Sequence, residues 1–190
     1  MAKLLKKQLF CHLFATSFGP IAILWSVFGA KPGILRVLLS NPGCSSKKIL
    51  RTSFPECISN SSPEINLISE QISEFLSGED VVFSLDIARV DLCPAFQRRV
   101  LLSEFGIPRG YVSTYRRIAR YLDNPKGARA VGTALANNPF PILIPCHRAI
   151  RTDGTLGGFQ GGIEMKKKLL QMEGTMVDKN GRVTTERVFY

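Results

Sequence analysis

The early part of the chain carries its apolar residues in short runs of strand-forming type. Leu9–Thr16, Ile21–Phe28 and Ile34–Leu39 are set apart by Phe18-Gly19-Pro20 and by Ala30-Lys31-Pro32-Gly33. Runs of that length, closed by Gly and Pro, predict strands of an antiparallel sheet. From Asn41-Pro42-Gly43 to Ser62-Pro63, polar residues and breakers dominate, which predicts a loop with room for one short element. The period then changes. Ile65, Ile68, Ile72, Phe75 and Leu76 recur at helical spacing behind Ser62-Pro63-Glu64, a capping serine with proline at the first helical position. Ser77-Gly78 is the matching stop. Val81–Ile87 alternates apolar and polar residues and predicts one more strand.

A boundary is expected at Arg89–Asp91, dividing the chain into residues 1–90 and 91–190. Past it, Pro94 opens a helix with Phe96, Val100, Leu101 and Phe105, ended by Gly106-Ile-Pro108. A second helix is predicted over Thr114–Leu122, with Ser113 or Thr114 as cap. Asp123-Asn-Pro-Lys-Gly127 is a tight turn, and a third helix covers Ala128–Asn137. Two short helices joined in this way are a helix-turn-helix candidate. After Thr152-Asp-Gly154 and the glycine-rich 157–162, a last helix spans Ile163–Met172, and 175–190 reads as a small hairpin or wing. The expected architecture is therefore an N-terminal α/β domain, a small antiparallel sheet with helices, followed by a mainly helical domain.

Charge sharpens this division. The net charge is +10, but residues 1–88 hold 8 Lys/Arg against 7 Asp/Glu, and residues 89–190 hold 17 against 8. A basic half beside a neutral half fits contact with a polyanion, although a solvated, solubilising surface would look the same. The 5 cysteines (Cys11, Cys44, Cys57, Cys93, Cys146) stand at irregular spacings with 2 histidines, so neither a disulfide framework nor a zinc site is indicated. Cys11-His12 would supply two metal ligands but has no second pair. A reducing, intracellular compartment follows. Lys3, Lys6 and Lys7 before the uncharged stretch 8–30 imitate a signal or membrane anchor. Gln8, His12, Thr16, Ser17, Gly19 and Pro20 interrupt it, however, so strands joined by a turn fit better than a membrane span.

The candidate chemistry lies in Asn138-Pro-Phe-Pro-Ile-Leu-Ile-Pro-Cys-His-Arg148. Pro139, Pro141 and Pro145 punctuate an apolar run and forbid an ordinary helix interior, so the stretch reads as a stiff, buried mount for one sulfur. A free cysteine is often just a small buried hydrophobe. Beside His147 and Arg148, Cys146 has instead the setting of a thiolate nucleophile. His147 is the base, acting through a water because adjacent side chains rarely meet directly. Asn138 either fixes the turn by backbone hydrogen bonds or merely stops the third helix. That helix carries Ala128, Ala130, Gly132, Ala134 and Ala136 with a single long cation, Arg129. Such a surface suits either a tightly packed core helix or a backbone sunk in a minor groove. No phosphate-binding loop, cofactor motif or metal cluster is present.

Pro145-Cys146-His147-Arg148, with Arg129-Ala-Val-Gly132 before it and Gly157 and Gly161-Gly162 after it, resembles the O6-alkylguanine-DNA alkyltransferase family, densely from about Phe96 to Glu173. The resemblance implies a ribonuclease-H-like N-terminal domain that supports a (winged) helix-turn-helix domain. It implies a monomer, without cofactor, metal or membrane, that acts in cytoplasm or nucleus on double-stranded DNA containing O6-alkylguanine. Its activity would be stoichiometric transfer of the alkyl group to Cys146, with Glu173 orienting His147. Arg129 would replace the extruded nucleotide, and Tyr115 would meet the base and the 3′ phosphate. Arg116, Asn124 and Thr152 match backbone-contacting positions, as Ala128, Ala130 and Gly132 match the groove-facing helix. Leu135, Pro141, Ala149, Phe159 and Gln160 would form the substrate pocket, with main-chain groups, the carbonyls of Cys146 and Ala149 and the backbone amide of Gln160, reading guanine. Ala149, Phe159 and Gln160 depart from the larger aliphatic, tyrosine and serine usual there, which bears on bulky lesions. Two other readings remain open: a non-catalytic binder of alkylated DNA, and a cysteine hydrolase.

Overall fold

The structure, a computed structural model, describes residues 7–184 and 186–190; Lys3 and Lys6 lie outside the described residues. The chain forms two compact units that meet between Val90 and Asp91.

In the first unit β1 (Phe10–Phe14), β2 (Ile21–Phe28), β3 (Lys31–Leu39) and β4 (Ile58–Ser59) make one sheet in the order β3-β2-β1-β4. The first three strands pair antiparallel, but β4 runs parallel to β1. The sheet is thus mixed, not purely antiparallel. Central β2 is buried on both faces from Ile21 to Ser26, hence its unbroken apolar run. Pro32 and Gly33, expected in the connection, belong to β3. That strand is at the sheet edge, where a residue without an N–H is tolerated. The predicted loop contains a real helix, α1 (Ser46–Ser53), capped by Ser45. Its weak signal has a cause, since only Ser46 and Leu50 of it are buried. The helix α2 (Pro63–Leu76) starts on Ser62 as expected and buries Ile65, Ile68, Ile72, Phe75 and Leu76.

Val81–Ile87 is not a strand. It reaches β3 only at its end, where the Ile34 amide donates to the Ile87 carbonyl beside a bridge from Ile34 to Ala88, while Val82 is 87% exposed. Alternation without a partner ladder does not make a strand. Cys11 packs with Leu24 and Leu50 on the α1 face, whereas His12 turns the other way and meets Ser69 of α2 at 3.2 Å. Neighbours on a strand point to opposite faces, so the two cannot share a metal. Among the described residues no helix is long and apolar enough to cross a membrane, and no cluster of three or more His, Cys, Asp or Glu is placed to hold a metal.

The second unit contains α3 (Ala95–Phe105), α4 (Tyr115–Tyr121), α5 (Ala128–Ala136) and α6 (Ile163–Met172). A hairpin of β7 (Met176–Val177) and β8 (Val183–Thr184) follows. One feature went unpredicted. Ser113–Thr114 (β5) pairs in parallel with Ala149–Ile150 (β6), while Thr114 also accepts the Arg117 amide as the cap of α4. This small ladder sets the first residue of α4, Tyr115, beside the segment that carries Cys146. The segment itself is wholly buried from Phe140 to Ile150.

Candidate active site

Positions 138–148 are held by their own backbone chemistry. Asn138 donates through Nδ2 to the Ile144 carbonyl at 3.1 Å and accepts the Phe140 amide at 2.9 Å. It pins both sides of a turn in which Ile142 adopts φ 76°. Left-handed backbone at a β-branched residue costs energy and persists where its surroundings over-determine it. The chain then enters a 3-10 turn, Cys146–Arg148. Gln97 of α3 donates to the carbonyls of Ala134 and Asn137, satisfying acceptors left at the end of α5.

Cys146 lines a cavity of about 220 Å³ together with Tyr115, Gly132, Leu135, Ala136, Gly158, Phe159 and Gln160. Of the expected pocket residues, Leu135, Phe159 and Gln160 line it. Pro141 and Ala149 are buried and are not in its walls. The Ala149 carbonyl accepts from Lys166 at 2.6 Å, and the Gln160 side chain donates to the Asn138 carbonyl at 2.6 Å. Gly157 has φ +70°, and a Cβ there would lie 2.6 Å from the Tyr115 hydroxyl. The loop backbone therefore passes directly against the tyrosine.

Behind the sulfur, His147 Nε2 meets Glu173 Oε1 at 2.9 Å. Arg148 donates to the same carboxylate, from Nε to Oε2 at 3.0 Å and from Nη2 to Oε1 at 2.7 Å. Burial pulls Glu173 upward, but His147 and Arg148 outweigh it and leave the carboxyl well below its usual range. Burial lowers His147 against the upward pull of Glu173. The thiolate expected from the Cys-His-Arg sequence is not the resting state. Burial pushes Cys146 up to about 11, against an opposing hydrogen bond from Asn138, and the Arg148 charge is spent on Glu173. The sulfur waits as a thiol.

Two charged residues beside this site escaped the sequence reading. Lys166 is fully buried, donating to Ala149 and, at 3.4 Å, to the Gly158 carbonyl. Burial lowers it to about 8. Glu104 of α3 is fully buried, and burial raises it to about 8 against the pull of Lys166 and Arg148. Helical phase would have found both: Lys166 is three and four positions from Leu169 and Leu170, and Glu104 likewise from Leu101 and Val100. A carboxyl whose folded pKa lies above its ordinary 4.5 adds stability in full below pH 4.5. That contribution is lost as pH rises through about 8. Denaturant unfolding of Glu104→Gln should therefore show its stability relative to the parent improving by roughly 2–5 kcal/mol between pH 5 and pH 9.

Apart from Tyr115, which lines the cavity, the expected nucleic-acid residues lie on α5, in the turn before it and in one groove. On α5, Val131, Ala134 and Leu135 are buried, while Arg129 and Ala130 are exposed and Ala128 and Gly132 are half-buried. The helix is core on one side and open on the other. Arg129, Gly132 and Ala136 stand at i, i+3 and i+7, which aligns them on one face, and the last two line the cavity. Arg116 and Thr152 line a separate groove with Arg117, Arg120 and Arg151; the last three were not singled out by sequence. Asn124 is exposed in the turn before α5, its side chain lying over Gly127.

Residues 95–175 match the family model for the DNA-binding domain of 6-O-methylguanine DNA methyltransferase. A methylated-DNA–protein-cysteine methyltransferase of Haemophilus influenzae is 38% identical over 131 residues, 67% of this chain and 71% of that protein. One from Methanothermobacter thermautotrophicus is 44% identical over 115 residues, 60% of this chain. The match spans 64% of that archaeal protein, less than two thirds of its length. Among solved structures, Mycobacterium tuberculosis OGT in complex with DNA superposes with a TM-score of 0.68 at 27% identity, covering 86% of this chain and 92% of that one.

Proposed function

This chain belongs to the methylated-DNA–protein-cysteine methyltransferase family, and on that footing we propose that it repairs DNA by moving a methyl or other alkyl group from O6 of guanine to its own Cys146. The observation that carries the reading is a buried cysteine that lines a cavity together with Gly132 and Ala136, on the helix face that also carries the exposed Arg129. O4-alkylthymine has the same reactive group and is a second candidate substrate.

In this reading residues 91–190 bind the duplex and do the chemistry, and residues 1–90 support them. The pair α4–α5 is a helix-turn-helix, the hairpin β7–β8 its wing, and the order β3-β2-β1-β4 with a parallel β4 supports a ribonuclease-H-like N-terminal sheet. The small residues of α5 allow close approach to a minor groove, which suits a protein that must scan without regard to sequence. Arg129 enters the stack as the damaged nucleotide swings out, offsetting part of an unstacking cost of a few kcal/mol. Arg116, Asn124 and Thr152, joined by Arg117, Arg120 and Arg151, hold the phosphates.

Once the base fills the cavity, a water carries the Cys146 proton to Nδ1 of His147, since Nε2 is turned to Glu173. The ionised Glu173 stabilises the imidazolium that forms. The sulfur attacks the alkyl carbon, the bond to O6 breaks, and its electron pair leaves with the guanine, which takes up the proton that the His147 imidazolium returns through water. Tyr115, raised by burial to about 12, stays an O–H donor toward the base. The thioether product is a poor leaving group, so each chain reacts once, in the compartment that holds the DNA. The alkyl group comes from the DNA itself, and no cofactor enters.

Mass spectrometry after incubation with duplex containing O6-methylguanine tests this. One methyl per chain on Cys146 is expected; binding without transfer would mark a lesion-recognition protein instead, and repeated turnover on amide substrates a hydrolase. Arg129→Ala should slow transfer from duplex roughly a hundredfold, the scale of a few kcal/mol of extrusion. Binding to undamaged duplex, measured by anisotropy, should fall far less. Equal losses would remove the finger role.

A further inference from the structure

The first unit holds a pair of sulfurs that the alkyl-transfer reading does not use. Cys57 Sγ and Cys11 Sγ are 3.1 Å apart although 46 positions separate them in sequence, and both are free thiols. Their approach is fixed by the sheet. The Ile58 amide donates to the Leu9 carbonyl and the Asn60 amide to the Cys11 carbonyl, each at 3.0 Å. Cys11 is opposite Ser59 in this parallel ladder, so Cys57, two residues before Ser59, falls on the same face. Both side chains belong to the apolar cluster with Ala22, Leu24, Leu38 and Leu50. The two thiols differ in access: Cys11 is 8% exposed, while Cys57 is half-buried.

We propose that Cys11 and Cys57 are a reversible oxidation site, a dithiol that a hydroperoxide converts to a disulfide tying β1 to the chain just ahead of β4. Closing the bond brings the sulfurs about 1 Å nearer, to the ~2.05 Å of a disulfide. Cys57 lies in a turn and can supply that movement by side-chain rotation. Oxidation starts at Cys57 because it is the accessible sulfur; burial, reinforced by the adjacent Cys57, pushes Cys11 up to about 12. The Cys57 thiolate attacks one peroxide oxygen and the O–O bond breaks, releasing water or an alcohol and leaving a sulfenic acid. The Cys11 sulfur then attacks the sulfenyl sulfur, and the hydroxyl departs as water with the Cys11 proton. Two thiols and one hydroperoxide thus give a disulfide, one water, and one alcohol or second water. The closed loop contains β2, β3 and α1, so the bond restrains most of the unfolded unit.

The full chain, treated with tert-butyl hydroperoxide, blocked with N-ethylmaleimide and digested, is mapped by mass spectrometry without reduction. A Cys11–Cys57 cross-linked peptide pair, lighter by two hydrogens and reopened by dithiothreitol, is expected as the dominant disulfide. The oxidised first unit should melt at least about 5 °C higher than the reduced one. Cys57→Ser should lose the cross-link, leave Cys11 open to maleimide on denaturation, and keep full alkyl transfer. Blocked Cys11 and Cys57 after hydroperoxide treatment that oxidises other thiols would overturn the proposal. So would equal yields of pairs with Cys44 or Cys93, or Cys11 oxidised equally in Cys57→Ser. Should Cys57→Ser fail to fold, the cross-link map of the parent decides alone.

Discussion

Cys146→Ser and Cys146→Ala should gain no mass on O6-methylguanine duplex, and both should still bind it within about threefold of the parent, a difference under 1 kcal/mol. The reason is a separation of tasks. The sulfur lines the cavity with 6% exposure and makes no contribution to the helix face or the arginine groove that would hold DNA. A serine hydroxyl there cannot take over from the sulfur, since an alcohol is a far weaker acid than a thiol and gives up its proton to His147 far less readily. Titration of labelled duplex against each variant, with intact-mass readout, separates the two effects. Loss of binding in Cys146→Ala would mean that the cysteine holds up the site and does not merely react in it.

The second large effect is expected at Glu173. Its carboxylate receives His147 and two nitrogens of Arg148, all buried. Glu173→Ala leaves the Arg148 guanidinium facing an empty space, and removing one partner of a buried pair costs roughly 3–5 kcal/mol. Transfer should slow as well, by about a hundredfold or more, because His147 loses the group that fixes its ring and stabilises its charge. Glu173→Gln keeps the shape and should recover part of the stability but little of the rate. The pH dependence gives a further check. Held down to about 2 from an ordinary 4.5, the group contributes stability in full above pH 4.5 and loses it as pH falls toward 2. The parent should weaken steeply through that window, and Glu173→Ala much less. Denaturant midpoints at pH 7 and pH 3 measure both.

Much of this molecule could be read from residue order, and the reasons differ by element. The helix α2 announces itself with Ser62-Pro63 in front, Ser77-Gly78 behind and five apolar residues in phase between. The helix α1 does not, because a helix with only two buried residues leaves almost no apolar stripe. Val81–Ile87 misleads for the opposite reason, since alternation reports two unlike faces but not whether a neighbour exists to complete a ladder. At the site, Cys146 was visible from its companions, but its protonation was not. Sequence places Arg148 next to the sulfur; the fold turns that guanidinium to Glu173, and burial then governs the thiol. Lys166 was hidden in a run of three lysines that reads as solvated surface. The β5–β6 ladder, two residues long on each side, has no sequence signal at all, yet it sets Tyr115 beside Cys146.

Lys166 joins Ala149, just past the nucleophile, to Gly158 in the glycine loop, so one ammonium ties a wall of the cavity to the backbone behind it. Acylating and carbamylating reagents need a free, neutral amine in contact with solvent, a condition this nitrogen meets only when that wall and the backbone behind it part. Its modification rate in the native protein would therefore act as a clock for how often the pocket comes open, read on a single side chain against the exposed lysines of the same molecule.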